Sequence, residues 1–313
     1  MIKRNNKKGF TIVELVIVIA VIAILAAVLI PTFAGIIKKA NLSADQVAVK
    51  NMNTVLATAE IEEDDFGKLI NTLAENGFNS KKALIPTTKD HVFYWYSTYN
   101  TIVLVNEKDE VVFPKDDKII AAYATDKGTD VIYDLGKSVA ASSDDLKSAI
   151  AAGGDIYLMG DVKLDGFLSI TTPGTTNINL NGHKIIRENG TGIYVNNADA
   201  VVNIDGDGEV SCSANSLFVA RGTVNVYGGT FTSVTEAAYS TGGIINIYGG
   251  KFTSTSEKAE DNKSTSYAPV NVKDDARDTG VINIYGGEFY NYHGEYDLSG
   301  QIALGEVVDK RDN

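Results

Sequence analysis

A chain of 313 residues has ample length for two domains, each able to bury a core without disulfide or metal staples. Its single cysteine, Cys212, excludes an intrachain disulfide and reads as a small buried apolar residue, while 29 glycines against 5 prolines predict many tight turns. The net charge of −12 is uneven: Lys3, Arg4, Lys7 and Lys8 stand in the first nine residues without an acid, so the rest carries about −16 and lacks the basic surface that nucleic-acid binding requires.

Residues 15–37 form a run of 23 without a charge, about 35 Å of helix at about 1.5 Å per residue and enough to cross a bilayer core. The basic leader is denser than the Lys38 and Lys39 pair behind the run, which places the N-terminus in the cytoplasm and the bulk of the chain outside, as a single-pass membrane protein. A secretory signal peptide also begins basic and turns apolar. Here the apolar stretch is longer, Glu14 stands at its start and a helical pattern continues through Ala40 to Ala59. A carboxylate at the head of a membrane helix needs a cationic partner or a proton, because an unpaired charge in hydrocarbon costs several kcal/mol. Pro31 offers no donor to the Ala27 carbonyl and predicts a kink or loosening there.

The residues Lys8, Gly9, Phe10, Thr11, Ile12, Val13, Glu14 and Leu15, followed by an Ile/Val/Ala run, resemble the cleavage and methylation motif of type IV prepilins and pseudopilins over about residues 7–40. The resemblance implies that a prepilin peptidase cuts between Gly9 and Phe10 and methylates the new amino group of Phe10. Residues 1–9 are then a cytoplasmic leader, and Glu14 becomes the fifth residue of the mature chain. Cleavage would supply the missing cation, since in a staggered filament the Phe10 amine of one subunit can pair with Glu14 of its neighbour and set the axial register. The implied partners are the peptidase, other pilin or pseudopilin subunits and the membrane. Similar pilins carry a proline in the region of Pro31, where the helix can stretch on assembly.

Val47, Met52, Val55, Leu56 and Ala59 keep helical spacing, so the anchor helix is expected to run on into the soluble part, over 10–62 in all. Phe66, Leu69, Ile70 and Leu73 stand at i, i+3, i+4 and i+7 and predict a second helix stopped by Gly77. Residues 91–96, 101–105 and 110–113 are β-branched and aromatic runs that read as an antiparallel meander with Trp95 in its core. A helix on a small sheet is a pilin-like α+β arrangement, assigned to residues 63–137.

The strongest internal signal is a repeat: TVNVYGGTF from Thr223, IINIYGGKF from Ile244 and VINIYGGEF from Val281, with weaker copies NLNG at Asn179 and NIDG at Asn203. Aligned on Asn179, Asn203, Asn225, Asn246 and Asn283, the copies are 24, 22, 21 and 37 residues apart. A short strand ending in glycine at that period predicts a solenoid. The fixed leucines of leucine-rich repeats are missing, and a three-strand β-helix turn fits better. With Leu146, Ile150, Gly153 and Gly154 ahead of it, the segment 143–293 resembles a right-handed parallel β-helix of the pectate-lyase-like type, and 294–313 is left as a C-terminal tail. Alternation sends Ile245 and Ile247 inward and Asn246 and Tyr248 outward. Rungs stack about 4.8 Å apart, so Tyr227, Tyr248 and Tyr285 are expected to form an outward ladder beside Asn225, Asn246 and Asn283, the candidate ligand surface. The long last spacing places a protruding loop at 256–266.

Two functional classes suit the repeat domain. One is a binding module whose tyrosines or loop contact a surface glycan or another filament subunit. The other is a polysaccharide lyase or hydrolase, since many similar β-helices are such enzymes. An enzyme needs gathered carboxylates with an Arg or Lys. The best set is Asp205, Asp207, Glu209 and Arg221, with His183 and Lys184 one rung earlier. Asp205 and Asp207 occupy the place of the Gly-Gly turn in other repeats, so turn chemistry accounts for them and they are weak candidates for a cation site. His91, His183 and His293 lack metal-ligand spacing, and no phosphate loop or nucleophile motif occurs. The reading is therefore a filament subunit, with no cofactor and no catalytic residue, that carries a surface-binding module.

Overall fold

The computed structural model describes residues 11–62, 65–263, 267–272, 274–275, 278–299 and 307–311. Helix α1 (Ile12–Leu56) has 45 residues, about 68 Å at about 1.5 Å each. Its large apolar side chains from Ile12 to Ile37 stand exposed, and full burial begins only at Asp45, followed by Val49, Met52 and Leu56 on one stripe. The helix is unbroken across Pro31, and the Thr32 hydroxyl donates to the Val28 carbonyl at 2.9 Å. It ends at Leu56, earlier than its spacing predicts, where the N–H groups of Thr58 and Ala59 turn back to the carbonyls of Val55 and Leu56. Glu60 and Glu62, just beyond, would add negative charge to the negative end of the helix dipole.

Helix α2 (Phe66–Glu75) starts on an Asp65 cap and stops before Gly77, whose φ of 97° is the left-handed region that glycine enters freely. Three antiparallel strands follow as expected, β1 (Val92–Tyr96), β2 (Thr101–Val105) and β3 (Val111–Phe113). After α3 (Asp117–Asp126) a further strand, β4 (Ile132–Asp134), joins the free edge of β1, giving the order β3-β2-β1-β4. Alternation then sorts the sheet into two faces. Phe93, Trp95, Ile102 and Leu104 pack under α1 and α2, while Tyr96, Val103 and Val105 pack with Tyr123 of α3 on the other face. Two polar side chains fix α1 on this unit. Asn53 exchanges hydrogen bonds with the Ile102 backbone at 2.9 and 2.7 Å. The buried Asp45 carboxylate accepts the N–H groups of Thr87 at 2.7 Å and Thr88 at 2.8 Å.

Helix α4 (Ser143–Ala152) closes one end of a β-solenoid of about six turns, burying Leu146, Ala149 and Ile150 in the solenoid core. Each full turn contributes short strands to three parallel rows. The first row includes Gly154–Leu158, Gly174–Asn179, 201–205, 223–226, Ile244–Ile247, Val281–Ile284 and Val307–Asp309. The second runs from Val162–Lys163 through Lys184–Arg187, Glu209–Cys212, Thr230–Ser233 and Lys251–Ser254 to Glu288–Asn291. The third joins Leu168–Ile170, 193–195, 217–219, Ala238–Ser240 and Val270–Val272. The inward isoleucines and valines stack in columns, and in the second row Phe231, Phe252 and Phe289 stack inside the coil.

The register differs from the sequence alignment at one step. Asn203 pairs with Asn177, and Asn179 pairs with Asp205. A shift of two residues preserves the inward face and stacks Ile178 on Ile204, so hydrophobic alternation alone could not distinguish the two. The described part of the long loop, 256–263, does not stand free. Asn291 Nδ2 donates to the Asp261 carbonyl at 2.7 Å, Asp297 N–H donates to the Asn262 carbonyl at 2.9 Å, and a His293 ring nitrogen meets the Ala259 carbonyl at 2.7 Å.

Cys212 lies in the solenoid core, where burial pushes its thiol up to about 11. At pH 8 only about a thousandth of such a thiol is thiolate, the nucleophilic form. Iodoacetamide is therefore expected to leave the native chain unmodified and to add one label in denaturant, as read by intact mass. Rapid labelling without denaturant would mean that the strand Glu209–Cys212 opens readily.

Candidate functional site

At the N-terminal end, Gly9 and Phe10 lie outside the described residues. Glu14 forms a reciprocal cap with Thr11: its N–H donates to the Thr11 hydroxyl oxygen at 3.2 Å, while its carboxylate accepts the Thr11 N–H at 2.9 Å and hydroxyl at 2.8 Å. The negative charge is thereby held at the positive end of the helix dipole. Pro31 lies about 26 Å further along the axis, about three-quarters of the way down the bare stretch.

On the first-row face of the solenoid, register builds an outward column of Tyr157, Asn179, Asp205, Tyr227, Tyr248, Tyr285 and Lys310. The three successive tyrosines stack nearly parallel, with ring centroids 5.0 and 4.7 Å apart and interplanar angles of 7° and 11°. The middle ring, Tyr248, is covered on both faces, and Tyr227, Tyr248 and Tyr285 remain 48, 43 and 39% exposed. Lys310 Nζ sits 5.2 Å from the Tyr285 ring centre and donates to its hydroxyl at 3.2 Å, covering the last ring. At the other end, the shorter Asn179 and Asp205 leave a cavity of about 290 Å³ lined also by Tyr157, Tyr227 and Asp155. Burial, with the carboxylates of Asp155, Asp65 and Asp205 nearby, raises the Tyr157 hydroxyl above the ordinary tyrosine value.

Beside the tyrosines runs a chain of side-chain amides. Asn283 donates to Asn246 at 2.9 Å, Asn246 to Asn225 and Asn225 to Asn203 at 2.8 Å each, Asn203 to Asn177 at 2.7 Å, and Asn177 to the Asp155 carboxylate at 2.6 Å. The asparagines expected at a ligand surface are thus bonded first to one another along the axis. Asn246→Ala unpairs the Asn283 donor and the Asn225 acceptor, both half-buried. The expected loss is about 1–2 kcal/mol in urea unfolding, with the tyrosine stack unchanged in near-ultraviolet circular dichroism.

A second outward aromatic column escaped the sequence reading. Phe167, Tyr194, Phe218 and Tyr239 follow one another along the third row, with centroids 5.6, 5.1 and 5.2 Å apart, and the Arg187 guanidinium lies 5.5 Å from the Phe167 ring centre. The signal was available. Tyr194, Phe218 and Tyr239 are 24 and 21 residues apart, the spacing of the repeat itself, but lie outside its conserved-looking core string.

The residues weighed for an enzyme do not converge. Lys184 Nζ pairs with Glu209 at 2.8 Å, which holds the lysine above its ordinary value. His183 turns to the junction with α2, where its Nε2 meets Asn71 Oδ1 at 3.1 Å. Asp205 accepts the neighbouring Gly206 N–H at 2.7 Å, the Asp207 carbonyl accepts the Gly182 N–H, and Arg221 stands exposed opposite Asn196. No group of three or more His, Cys, Asp or Glu among the described residues is placed to hold a metal ion.

The family model described as the prokaryotic N-terminal methylation motif matches residues 4–30. The chain is 48% identical over 61 residues to the type IV wide pilus major component PilA4 of Thermus thermophilus, covering 20% of this chain and 44% of that protein. It is 36% identical over 65 residues to the type IV major fimbrial protein FimA of Dichelobacter nodosus, covering 21% of this chain and 42% of that one. The chain thus spans less than half the length of these curated relatives, and the likeness falls at the N-terminus, which is type IV pilin-like. No solved structure matches.

Proposed function

We propose that the chain is a minor pilin or pseudopilin: a subunit processed by prepilin peptidase, held in the membrane by α1 and assembled with other pilin subunits. The solenoid is the surface-binding module it carries outside the cell. The observation that supports this most is continuity. The methylation motif over residues 4–30 overlaps a helix whose apolar side chains are bare to Ile37, while Val49, Met52 and Leu56 further along the same helix are buried in the core with the sheet. A bare apolar helix of that length needs either a bilayer or neighbouring helices around it.

Cleavage after Gly9 would leave a free Phe10 amine one residue before Thr11, whose backbone the Glu14 carboxylate already holds. In the apolar core of a filament that carboxylate needs a cation, and the amine of the adjacent subunit supplies one. A domain as bulky as the solenoid suits a subunit at the tip or base. The exposed tyrosine edges, flanked by Asp155 and Asp205, suit a glycan, whose hydroxyls they can hydrogen-bond.

The deciding measurement is the intact mass of the membrane-extracted protein. The expected mass lacks residues 1–9 and carries one added methyl group, and a chain still beginning at Met1 in cells with active peptidase overturns the reading. Glu14→Ala is expected to lower recovery in sheared filaments about tenfold or more. On a glycan array, retention that Tyr248→Ala weakens supports the binding module, whereas release of unsaturated oligosaccharides from pectin-like polymers would replace it with a lyase.

A further inference from the structure

We infer that the pocket where α1 leaves its bare stretch holds the head-group phosphate of an anionic phospholipid, with the first acyl carbons against Ala34 and Ile37. The inference rests on the membrane placement of α1 proposed above. The continuous run of exposed apolar side chains on α1 ends at Ile37, and Lys38 and Lys39 follow. Asn41 is about 6 Å further along the axis, within a head-group layer of about 5–8 Å on each side of the bilayer. At that height a cavity of about 750 Å³ opens between α1 and the loops 87–91 and 106–108.

Its walls are amphiphilic, as a phospholipid requires. Ala34 and Ile37, from the end of the apolar run, line it together with Lys38, Lys89 and Lys108. None of these lysines has an ion-pair partner within 4.0 Å among the described residues. The carboxylates that line the pocket are Asp90 and Glu107, against three lysines, and the Asp45 carboxylate behind the loop is occupied by the Thr87 and Thr88 N–H groups. The loop is built without a ligand, because Asp45 clamps the N–H groups of Thr87 and Thr88.

An independent observation points to the same occupant. Thr88 is 4% exposed, lines the pocket, and its hydroxyl has no hydrogen-bond partner among the described residues. A buried hydroxyl in that state is unfavourable, and a small shift of the loop would let a phosphate oxygen in the pocket supply the acceptor it lacks. A phosphate held by Thr88 and the lysines would fix the height and rotation of the soluble part on the bilayer before the subunit enters a filament.

The test uses the full chain in nonionic detergent, titrated with phosphatidylglycerol or phosphatidylcholine of matched acyl chains, with bound lipid counted by native mass spectrometry. Phosphatidylglycerol is expected to be retained about fivefold or more tightly, near the effect of one lysine at an anionic surface. Lys89→Gln combined with Lys108→Gln removes the preference, and Lys50→Gln, exposed on α1 outside the pocket, leaves it. Thr88→Val weakens phosphatidylglycerol retention without lowering the thermal midpoint. Equal retention of the two lipids overturns the inference, as does a preference that survives the double variant. Displacement by inorganic phosphate as effective as by lipid assigns the site to free phosphate and also overturns it. Carbonate extraction of cell membranes reads the anchor separately, so failure there is distinguishable from failure of the pocket.

Discussion

Phe252→Ala is expected to lower the unfolding free energy of the solenoid by about 3–5 kcal/mol, the range for a phenylalanine truncated in a close-packed interior. The ring is fully buried and stacked on both faces, with centroids 4.9 Å from Phe231 and 5.5 Å from Phe289 and interplanar angles of 6° and 16°. Each turn of a solenoid is held mainly by its two neighbours, so losing this ring weakens two interfaces at once. Parallel stacking adds about 0.5–1.5 kcal/mol to the burial itself. Two built-in probes separate the units: Cys212 reports the solenoid through its alkylation, and Trp95, fully buried under α1 and α2, reports the helix-and-sheet unit through fluorescence. The Cys212 midpoint in urea should fall well before that of Trp95. A shift under about 1 kcal/mol would mean that the phenylalanine column carries little of the solenoid's stability.

Asp45→Ala is expected to cost about 2–4 kcal/mol and to act on the other probe, lowering the Trp95 midpoint. The buried carboxylate accepts two backbone N–H groups, and its removal leaves both without a partner, at about 1–3 kcal/mol each before relaxation. Asp45→Asn keeps one acceptor oxygen and should recover about half of the loss. The same change frees the loop 87–91, so phosphatidylglycerol retention should fall with Asp45→Ala although Lys89 and Lys108 are intact. Unchanged stability in Asp45→Ala would show that water or another side chain replaces the clamp.

Asp45 also shows why parts of this molecule were not legible in the sequence. An aspartate between Ala44 and Gln46 on a long helix reads as solvent-facing, and only the return of residues 87–88 across 42 and 43 positions of chain makes it a buried acceptor. Strand β4 is three residues long and follows a helix, too short for a periodic signal, and its place beside β1 depends on closing that chain segment. The lipid pocket is likewise assembled from α1 and two distant loops, none of which carries a motif.

The sequence by itself determined the long apolar helix with its methylation motif, the inward and outward faces of the repeats and the tyrosine ladder. Those features follow from local periodicity: a run of apolar residues, a 2-residue alternation, and a string recurring at 21–24 residues with one spacing of 37. The tertiary structure decided the matters that depend on which distant segments meet. It set the Asn177 register, which alternation cannot resolve because a two-residue slip keeps every face. It turned the asparagines into an axial hydrogen-bond chain, placed Lys310 over Tyr285, and left Thr88 buried without a partner where the helix passes from its apolar stretch to the sheet.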